Sequence, residues 1–258
     1  MDMNNFLEKL HESYNLECHK NWLKNISKAV KKVNPYVEDV FFTNHFEHFK
    51  FLNNEIKKED YFKFHQGMWH LHMMSFFLKN GFKLLKPTGE DDIEIDMGNF
   101  KIYIECTCPG WGRQNNYIGK TYIEIFKKMG KKIETTEITE LHKNFIEKSV
   151  SSINNKVEKI KKRKENRIKD GKKNQNDFYL VAINEGLLIN GFDKWNNKGL
   201  EDRASDVISR LDNPILDGII YGSIGESSYF QIEDRLFGKI KNSDDRITKV
   251  FKNIINGM

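Results

Sequence analysis

Residues 91–107 read Asp-Asp-Ile-Glu-Ile-Asp-Met-Gly-Asn-Phe-Lys-Ile-Tyr-Ile-Glu-Cys-Thr, and this stretch decides the fold. Isoleucines alternate with other residues on both sides of a Met-Gly-Asn turn, a pattern typical of two half-buried antiparallel strands. Because side chains alternate between the faces of a strand, the isoleucines pack on one face while Asp92, Glu105 and Thr107 share the other. Two carboxylates held this close repel each other unless a cation lies between them, and magnesium sites are built in this way.

The same stretch resembles the PD-(D/E)XK superfamily of restriction-endonuclease-like nucleases, in which an Asp opens one strand and Glu-x-Lys lies on the next. Asp92 matches the first acid and Glu105 the second, whereas Asp91 stands in place of the motif's Pro and Thr107 in place of its catalytic Lys. The resemblance extends over residues 60–222. It implies an α/β restriction-endonuclease-like core with a central mixed β-sheet flanked by helices. It also implies Mg²⁺ or Mn²⁺ held by the two acids.

The elements predicted around the hairpin support this resemblance. Apolar periodicity predicts helices over 60–80, 143–173 and 201–211, and short apolar runs predict strands over 82–85, 178–184 and 217–222. The resulting order is helix, three strands, helix, strand, helix, strand. Restriction-endonuclease-like domains have the same order of elements.

The chain divides by pattern into two parts. Helical spacing of apolar residues over 4–33 predicts an N-terminal helical appendage spanning residues 1–58, and residues 59–258 form the predicted restriction-endonuclease-like α/β domain. An insertion over 113–140 follows the acidic strand and is either a lid above the site or a surface excursion. The tail over 226–258 is predicted to close the domain with a helix.

The helix predicted over 143–173 carries an excess of positive charge that is larger than the net charge of the whole chain. It has 12 Lys and Arg against 4 Asp and Glu, in a chain whose formal net charge is +5. One face is an apolar stripe, and four adjacent residues are the candidates for contact with substrate phosphates: Lys161, Lys162, Arg163 and Lys164. A solvated basic face is the alternative interpretation, since cations near a helix C-terminus favour any soluble helix.

Lys156 is the candidate for the cation that Thr107 does not supply. It flanks the apolar stripe, so its stem can follow the sheet while its ammonium reaches the two acids. Members of the superfamily that carry a migrated Lys on this helix resemble this arrangement. The alternative is a lysine that extends into solvent.

Gln66 and His70 are four residues apart and share a face of the helix over 60–80. In the resembled families the first helix often presents an acid toward the metal, and His70 stands where that acid is expected. Both residues are candidates for orienting phosphate or water, with a structural role as the alternative.

Composition limits the remaining classes. The chain has no apolar run long enough to cross a membrane and no basic segment followed by an apolar one at its N-terminus, so we expect a cytoplasmic protein with no membrane partner. The three cysteines predict no disulfide framework, and Cys106 and Cys108 are expected to face the core. An oligomer is compatible with the sequence.

Two functions follow from these patterns. The first is a metal-dependent nuclease that hydrolyses phosphodiester bonds in DNA, with Asp92, Glu105, Thr107 and Lys156 as its catalytic residues. The second is a catalytically silent module of the same fold that binds nucleic acid or a protein partner. Retention of both acids favours the first function, and the absence of Lys at position 107 favours the second.

Overall fold

The chain folds as an α/β protein in which six strands form one mixed sheet with helices on both faces. The computed structural model describes residues 1–14, 19–38, 40–48, 58–86, 91–110, 135–171, 176–187, 197–211, 214–224, 229–230, 236–240 and 245–252. The α-helices are α1 (Met3–Ser13), α2 (Lys20–Val33), α3 (Phe41–Phe46), α4 (Lys58–Lys79), α5 (Thr135–Lys169), α6 (Asn197–Ser209) and α7 (Asp245–Phe251). The strands are β1 (Lys83–Leu85), β2 (Ile93–Asp96), β3 (Lys101–Thr107), β4 (Phe178–Asn184), β5 (Gly218–Gly222) and β6 (Leu236–Ile240).

The strands lie in the sheet in the order of the chain. Strands β1, β2 and β3 form an antiparallel meander, β3, β4 and β5 run parallel, and β6 is antiparallel to β5. The predicted hairpin is confirmed, with Ile93 opposite Ile104. Gly98 has a φ of 83° in its turn, a conformation that glycine adopts without strain. Because parallel neighbours need crossovers, helix α5 carries the chain from β3 back to the start of β4.

Alternation along the strands produces two cores, one on each face of the sheet. The isoleucines of β2 and β3 pack with helices α1–α4 and α7 on the first face. On the second face Tyr103, Tyr179 and Val181 pack against Ile153 and Val157 of α5, together with residues of α6. Each face of the sheet buries its own apolar set, so both helical layers are held by hydrophobic burial.

The N-terminal helices belong to the first of these cores. Phe6 of α1, Ile26 of α2 and Phe46 of α3 are fully buried in one cluster with Met68 of α4 and Ile104 of the sheet. Gly67 permits this close packing, because a Cβ there would lie 2.6 Å from the Phe46 ring. Helices α1–α3 therefore contact the body of the protein through a continuous apolar interface.

Most predicted elements are present, with shifted ends. Helix α5 begins at Thr135, eight residues before the predicted start, and the predicted run over 4–33 is two helices, α1 and α2. Strand β6 was not predicted; it comes before the closing helix α7 in the tail. Residues 111–134, which make up most of the predicted insertion, lie outside the described residues.

Two further expectations concern the cysteines and membranes. Cys106 and Cys108 are buried free thiols on the core side of β3, as predicted, and burial raises the pKa of both. Cys18 lies outside the described residues. Within the described part of the chain, no helix combines the length and apolarity that a membrane crossing requires.

Candidate active site

The hairpin brings Asp92 and Glu105 together at one end of the sheet. Strand β2 begins at Ile93, so Asp92 lies just before the first residue of the ladder. Its Oδ2 accepts a hydrogen bond of 2.7 Å from the backbone N–H of Cys106, the residue after Glu105. The Asp92 side chain thus continues the hydrogen bonding between β2 and β3 beyond the end of β2. This hydrogen bond holds the Asp92 carboxylate beside that of Glu105.

Helix α5 places Lys156 between the two carboxylates, as the sequence predicts. The Lys156 Nζ is 2.8 Å from Glu105 Oε2 and 3.2 Å from Asp92 Oδ2. The side chains are largely enclosed, with 14% of Lys156 and 1% of Glu105 exposed, while 28% of Asp92 remains accessible. The opening of this site is therefore on the Asp92 side.

A second set of charges lies behind the first. Arg163 Nη1 donates to Glu105 Oε1 and, over 3.3 Å, to Asp91 Oδ1. Arg167 Nη2 donates to Asp91 Oδ2, and its guanidinium carbon stacks 3.8 Å from the centre of the Tyr103 ring. Three acids thus face three cations, and Glu105 is the carboxylate that joins the two sets.

The charges around Asp92 favour its ionised form. Burial raises the pKa of the Asp92 carboxyl, but the charges of Lys156 and His70 and the Cys106 N–H together hold that pKa below its ordinary value. Asp92 is therefore a carboxylate at neutral pH. An ionised, partly exposed acid beside a buried one is suited to binding a cation from solvent.

Thr107 and Ser152 join strand β3 to helix α5 next to the acids. Their hydroxyl oxygens are 2.7 Å apart, and Thr107 is buried. A hydroxyl offers one donor and two acceptor positions, so this pair retains hydrogen-bonding capacity after its mutual bond. Position 107, where the resembled motif has its lysine, thus presents a hydroxyl group beside a second hydroxyl from α5.

Gln66 and His70 contact backbone atoms of the acidic strands. The Gln66 amide donates to the Cys106 carbonyl over 2.7 Å and accepts from the Cys108 N–H over 3.1 Å. His70 Nε2 is 2.5 Å from the backbone carbonyl of Asp92, which can only accept, so this nitrogen carries the proton. Burial lowers the pKa of His70. These contacts hold α4 against the chain at the start of β2 and the end of β3.

The four basic candidates on α5 separate into two pairs. Lys161 and Lys162 are exposed, whereas Arg163 turns inward to Glu105 and Asp91. Lys164 is half-buried, with its ammonium 5.0 Å from the centre of the Tyr179 ring. Of these four residues, Lys161 and Lys162 are therefore the ones that a long anionic ligand could contact.

The acids offer a donor set that fits a hard divalent cation. Asp92 and Glu105 each have an oxygen within 3.2 Å of one nitrogen, and carboxylate oxygens are the ligands that Mg²⁺ and Mn²⁺ accept. No group of three or more His, Cys, Asp or Glu residues that could hold a metal is found among the described residues, so such an ion would keep several waters. It would also compete with the Lys156 ammonium for both carboxylates.

Three residues of the site are not predicted from the sequence: Asp91, Ser152 and Arg167. A signal for Arg167 exists, because Lys156, Arg163 and Arg167 are spaced by seven and four residues and share one helix face.

No protein-family model, curated protein or solved structure matches this chain.

Proposed function

We propose that this protein is a divalent-metal-dependent nuclease that hydrolyses phosphodiester bonds in DNA. The observation that carries the proposal is the position of Lys156, whose ammonium contacts both Asp92 and Glu105. A pair of carboxylates and one lysine at the end of a hairpin strand is the set of groups that the PD-(D/E)XK motif brings together. Here the lysine comes from helix α5 and not from the strand.

The order of elements supports the same proposal. Helix α4, strands β1–β3, helix α5, strand β4, helix α6 and strand β5 follow the order of restriction-endonuclease-like domains. The resemblance thus rests on the order of elements as well as on the motif. We therefore include the restriction-endonuclease-like core in the proposal.

Asp92 and Glu105 would hold Mg²⁺ or Mn²⁺, which when bound would polarise the phosphate and acidify an attacking water. Lys156 lies close enough to both acids to stabilise negative charge that develops on the phosphate. The Thr107 and Ser152 hydroxyls, which hydrogen-bond to each other, would orient the attacking water. Arg163 holds the other oxygen of Glu105, which fixes the carboxylate for this task.

The exposed lysines of α5 are the proposed contacts to the DNA backbone. Neutralising Lys161 and Lys162 to Gln should reduce the slope of log affinity against log salt by about 2, measured in EDTA so that no cleavage occurs. Lys24→Gln with Lys31→Gln, exposed lysines of α2 on the other side of the sheet, is the matched control. An unchanged slope in the Lys161 and Lys162 variant would place the DNA contact elsewhere.

One observation favours a second function. The three acids are matched by three protein cations, and Thr107 occupies the lysine position of the motif. In a module that binds nucleic acid or a protein partner without cleaving it, such a neutralised cluster would serve only to stabilise the fold. The two functions differ in whether the site takes up metal.

The test is a cleavage assay on plasmid and single-stranded DNA with Mg²⁺ or Mn²⁺. We expect wild type to cut and Asp92→Asn and Glu105→Gln to lose both cleavage and calorimetric metal binding. Asp96→Asn, which alters a partly exposed acid on the same hairpin, should behave as wild type. Absence of cleavage with either ion, or equal metal affinity in all four proteins, would favour the silent module.

A further inference from the structure

A cleft of about 600 Å³ lies between helices α2 and α4, in the helical layer on the side of the sheet opposite α5. Its size is within the usual range of small-molecule sites, about 300–1,000 Å³. The cleft does not share a lining residue with the Asp92 site. It is therefore a separate feature, and binding there would not require the proposed nuclease activity.

The cleft is strongly basic. Lys28 and Lys32, one turn apart on α2, and Lys79 at the end of α4 line it, and its described lining includes no acid. Helix α2 as a whole has five lysines and no Asp or Glu, so no neighbour on that helix neutralises them. Three lysines around one cleft favour a ligand with two or three negative charges.

The lining also contains a buried donor with no partner. The backbone N–H of Phe230 donates to His72 Nδ1 over 3.0 Å, so the neutral ring carries its proton on Nε2. That Nε2 is buried and has no hydrogen-bond partner among the described residues. Burial, with a contribution from Lys79, lowers the pKa of His72 to about 3, so the ring is neutral at physiological pH. An unpaired buried N–H is costly, and His72 is one of the residues that line the cleft.

Aromatic residues form the apolar part of the lining. Phe76 comes from α4, and Phe230 is held with a φ of 65°, a backbone conformation that is strained for a phenylalanine. Its bond to His72 maintains this conformation. Strained residues are maintained where the surrounding structure fixes them, often beside bound ligands. Flat apolar side chains next to cations suit a ring that carries a phosphate chain.

We propose that the cleft between α2 and α4 binds a nucleoside di- or triphosphate, with the phosphates on Lys28, Lys32 and Lys79 and the base against Phe76 and Phe230. The charge of the cleft selects the phosphates, and the aromatic lining distinguishes a nucleotide from an inorganic anion. The position of the cleft on α4, whose His70 contacts the Asp92 carbonyl at the other site, links the two sites through one helix.

The test is calorimetric titration with ADP in EDTA, which keeps the result independent of any metal at the Asp92 site. We expect saturable binding of ADP, with adenosine and inorganic pyrophosphate each weaker by at least about tenfold. Lys28→Gln with Lys32→Gln should weaken ADP by at least about tenfold, while Lys24→Gln with Lys31→Gln on the same helix changes the affinity less than about twofold.

Several outcomes would overturn the proposal. Lack of saturable ADP binding at concentrations up to about 1 mM is one. Equal affinity for adenosine would show that the phosphates are not recognised, and equal affinity for pyrophosphate would show that the base is not. Loss of binding in a Lys161→Gln, Lys162→Gln variant with retention in the Lys28→Gln, Lys32→Gln variant would place the ligand on α5.

Discussion

The Lys156 ammonium contacts both carboxylates, so it has two opposing effects on the site. Under the proposed function it would supply the positive charge that a phosphoryl-transfer transition state needs, and it occupies the position for which a metal cation would compete. Removing the ammonium separates these effects, because the acids and Arg163 remain.

We therefore predict that Lys156→Met lowers cleavage by at least about 100-fold while strengthening Mg²⁺ binding. Calorimetry for the metal and gel-based rates for cleavage measure the two effects. Lys159→Met, an exposed lysine of the same helix, is the control and should change neither. Adding Thr107→Lys to Lys156→Met should restore part of the rate by returning the cation to the strand. Cleavage by Lys156→Met at the wild-type rate would exclude Lys156 from catalysis.

Asp91 has a structural effect of a different kind. Its side chain is 1% exposed and accepts from Arg163 and from Arg167, which is itself 8% exposed. Breaking a buried ion pair leaves an uncompensated charge in the interior, so Asp91→Asn should reduce the free energy of unfolding by about 3 kcal/mol.

Urea unfolding measures this loss. Asp96→Asn is the matched control, because its lysine partner Lys83 is 73% exposed and solvent screens the pair, so the loss should be much smaller. Equal losses in the two variants would show that Asp91 is not holding the arginines. Its role should also appear as a reduced cleavage rate, since Arg163 orients Glu105.

The sequence predicts some of these residues for clear physical reasons. Alternation in a hairpin assigns Glu105 to the acidic face. Helical periodicity puts Lys156 beside the apolar stripe and leaves open whether its ammonium extends to the acids or into solvent. Asp91 lies before the first residue of β2, where alternation does not determine the direction of a side chain, and its pairing with Arg163 was missed. The Asp91 carboxylate balances two arginines.

At the scale of elements, helix α4 is unusual for the number of buried imidazoles it carries. Burial lowers the pKa of His65 and of His72 to about 3, from an ordinary value of 6.5. Both rings are neutral in the native state near pH 7. In the unfolded chain they take up a proton as the pH falls below 6.5.

These pKa values determine how the stability of the protein changes with pH. The native state binds fewer protons than the unfolded state between pH 6.5 and 3, so stability is full above pH 6.5 and falls as the pH decreases. Each histidine should contribute about 1.4 kcal/mol per pH unit in that interval. Urea unfolding at pH 7, 6 and 5 measures the slope. His65→Gln should make the slope shallower, whereas exposed His48→Gln should not; identical slopes in all proteins would contradict the assignment.

The long elements were predicted best. Helix α5 shows sustained periodicity, α4 is a long apolar segment stopped by Gly81, and β4 is a continuous apolar run, so their types follow from sequence alone. Strand β6 was missed because it is a short edge strand with Gly238 in its interior, and a glycine there weakens both alternation and β-propensity. The start of α5 was placed late because the apolar stripe begins several residues after the helix does.

The whole molecule combines a mixed sheet with two separate cores, and the order of its strands is a tertiary property. Sequence predicts which segments are strands and fixes the pairing of β2 with β3 through a short turn. The parallel pairing of β3 with β4 and of β4 with β5 depends instead on how α5 and α6 pack on the sheet, which no local pattern encodes.

The division at residue 58 is a prediction about the whole molecule, and the first core allows it to be tested. Phe6, Leu10, Ile26, Val30 and Phe46 of helices α1–α3 are fully buried against α4 and its surroundings. Each such side chain contributes about 1.5–3 kcal/mol when removed from water. Removing residues 1–58 would also expose the facing apolar surface of α4, and the total loss would be comparable to the whole stability of an average domain, about 5–15 kcal/mol.

We therefore predict that the fragment 59–258 does not fold cooperatively, and that the full chain unfolds in one transition seen equally by far-UV circular dichroism and tryptophan fluorescence. The fragment should bind a hydrophobic dye and lack a sigmoidal urea transition, because the face of α4 that contacts α1–α3 has no alternative cover. Adding the peptide 1–58 should restore the transition if the interface forms between separate chains. A fragment that unfolds cooperatively on its own, with the spectrum of a native α/β protein, would show that residues 1–58 are an appendage that the core does not require.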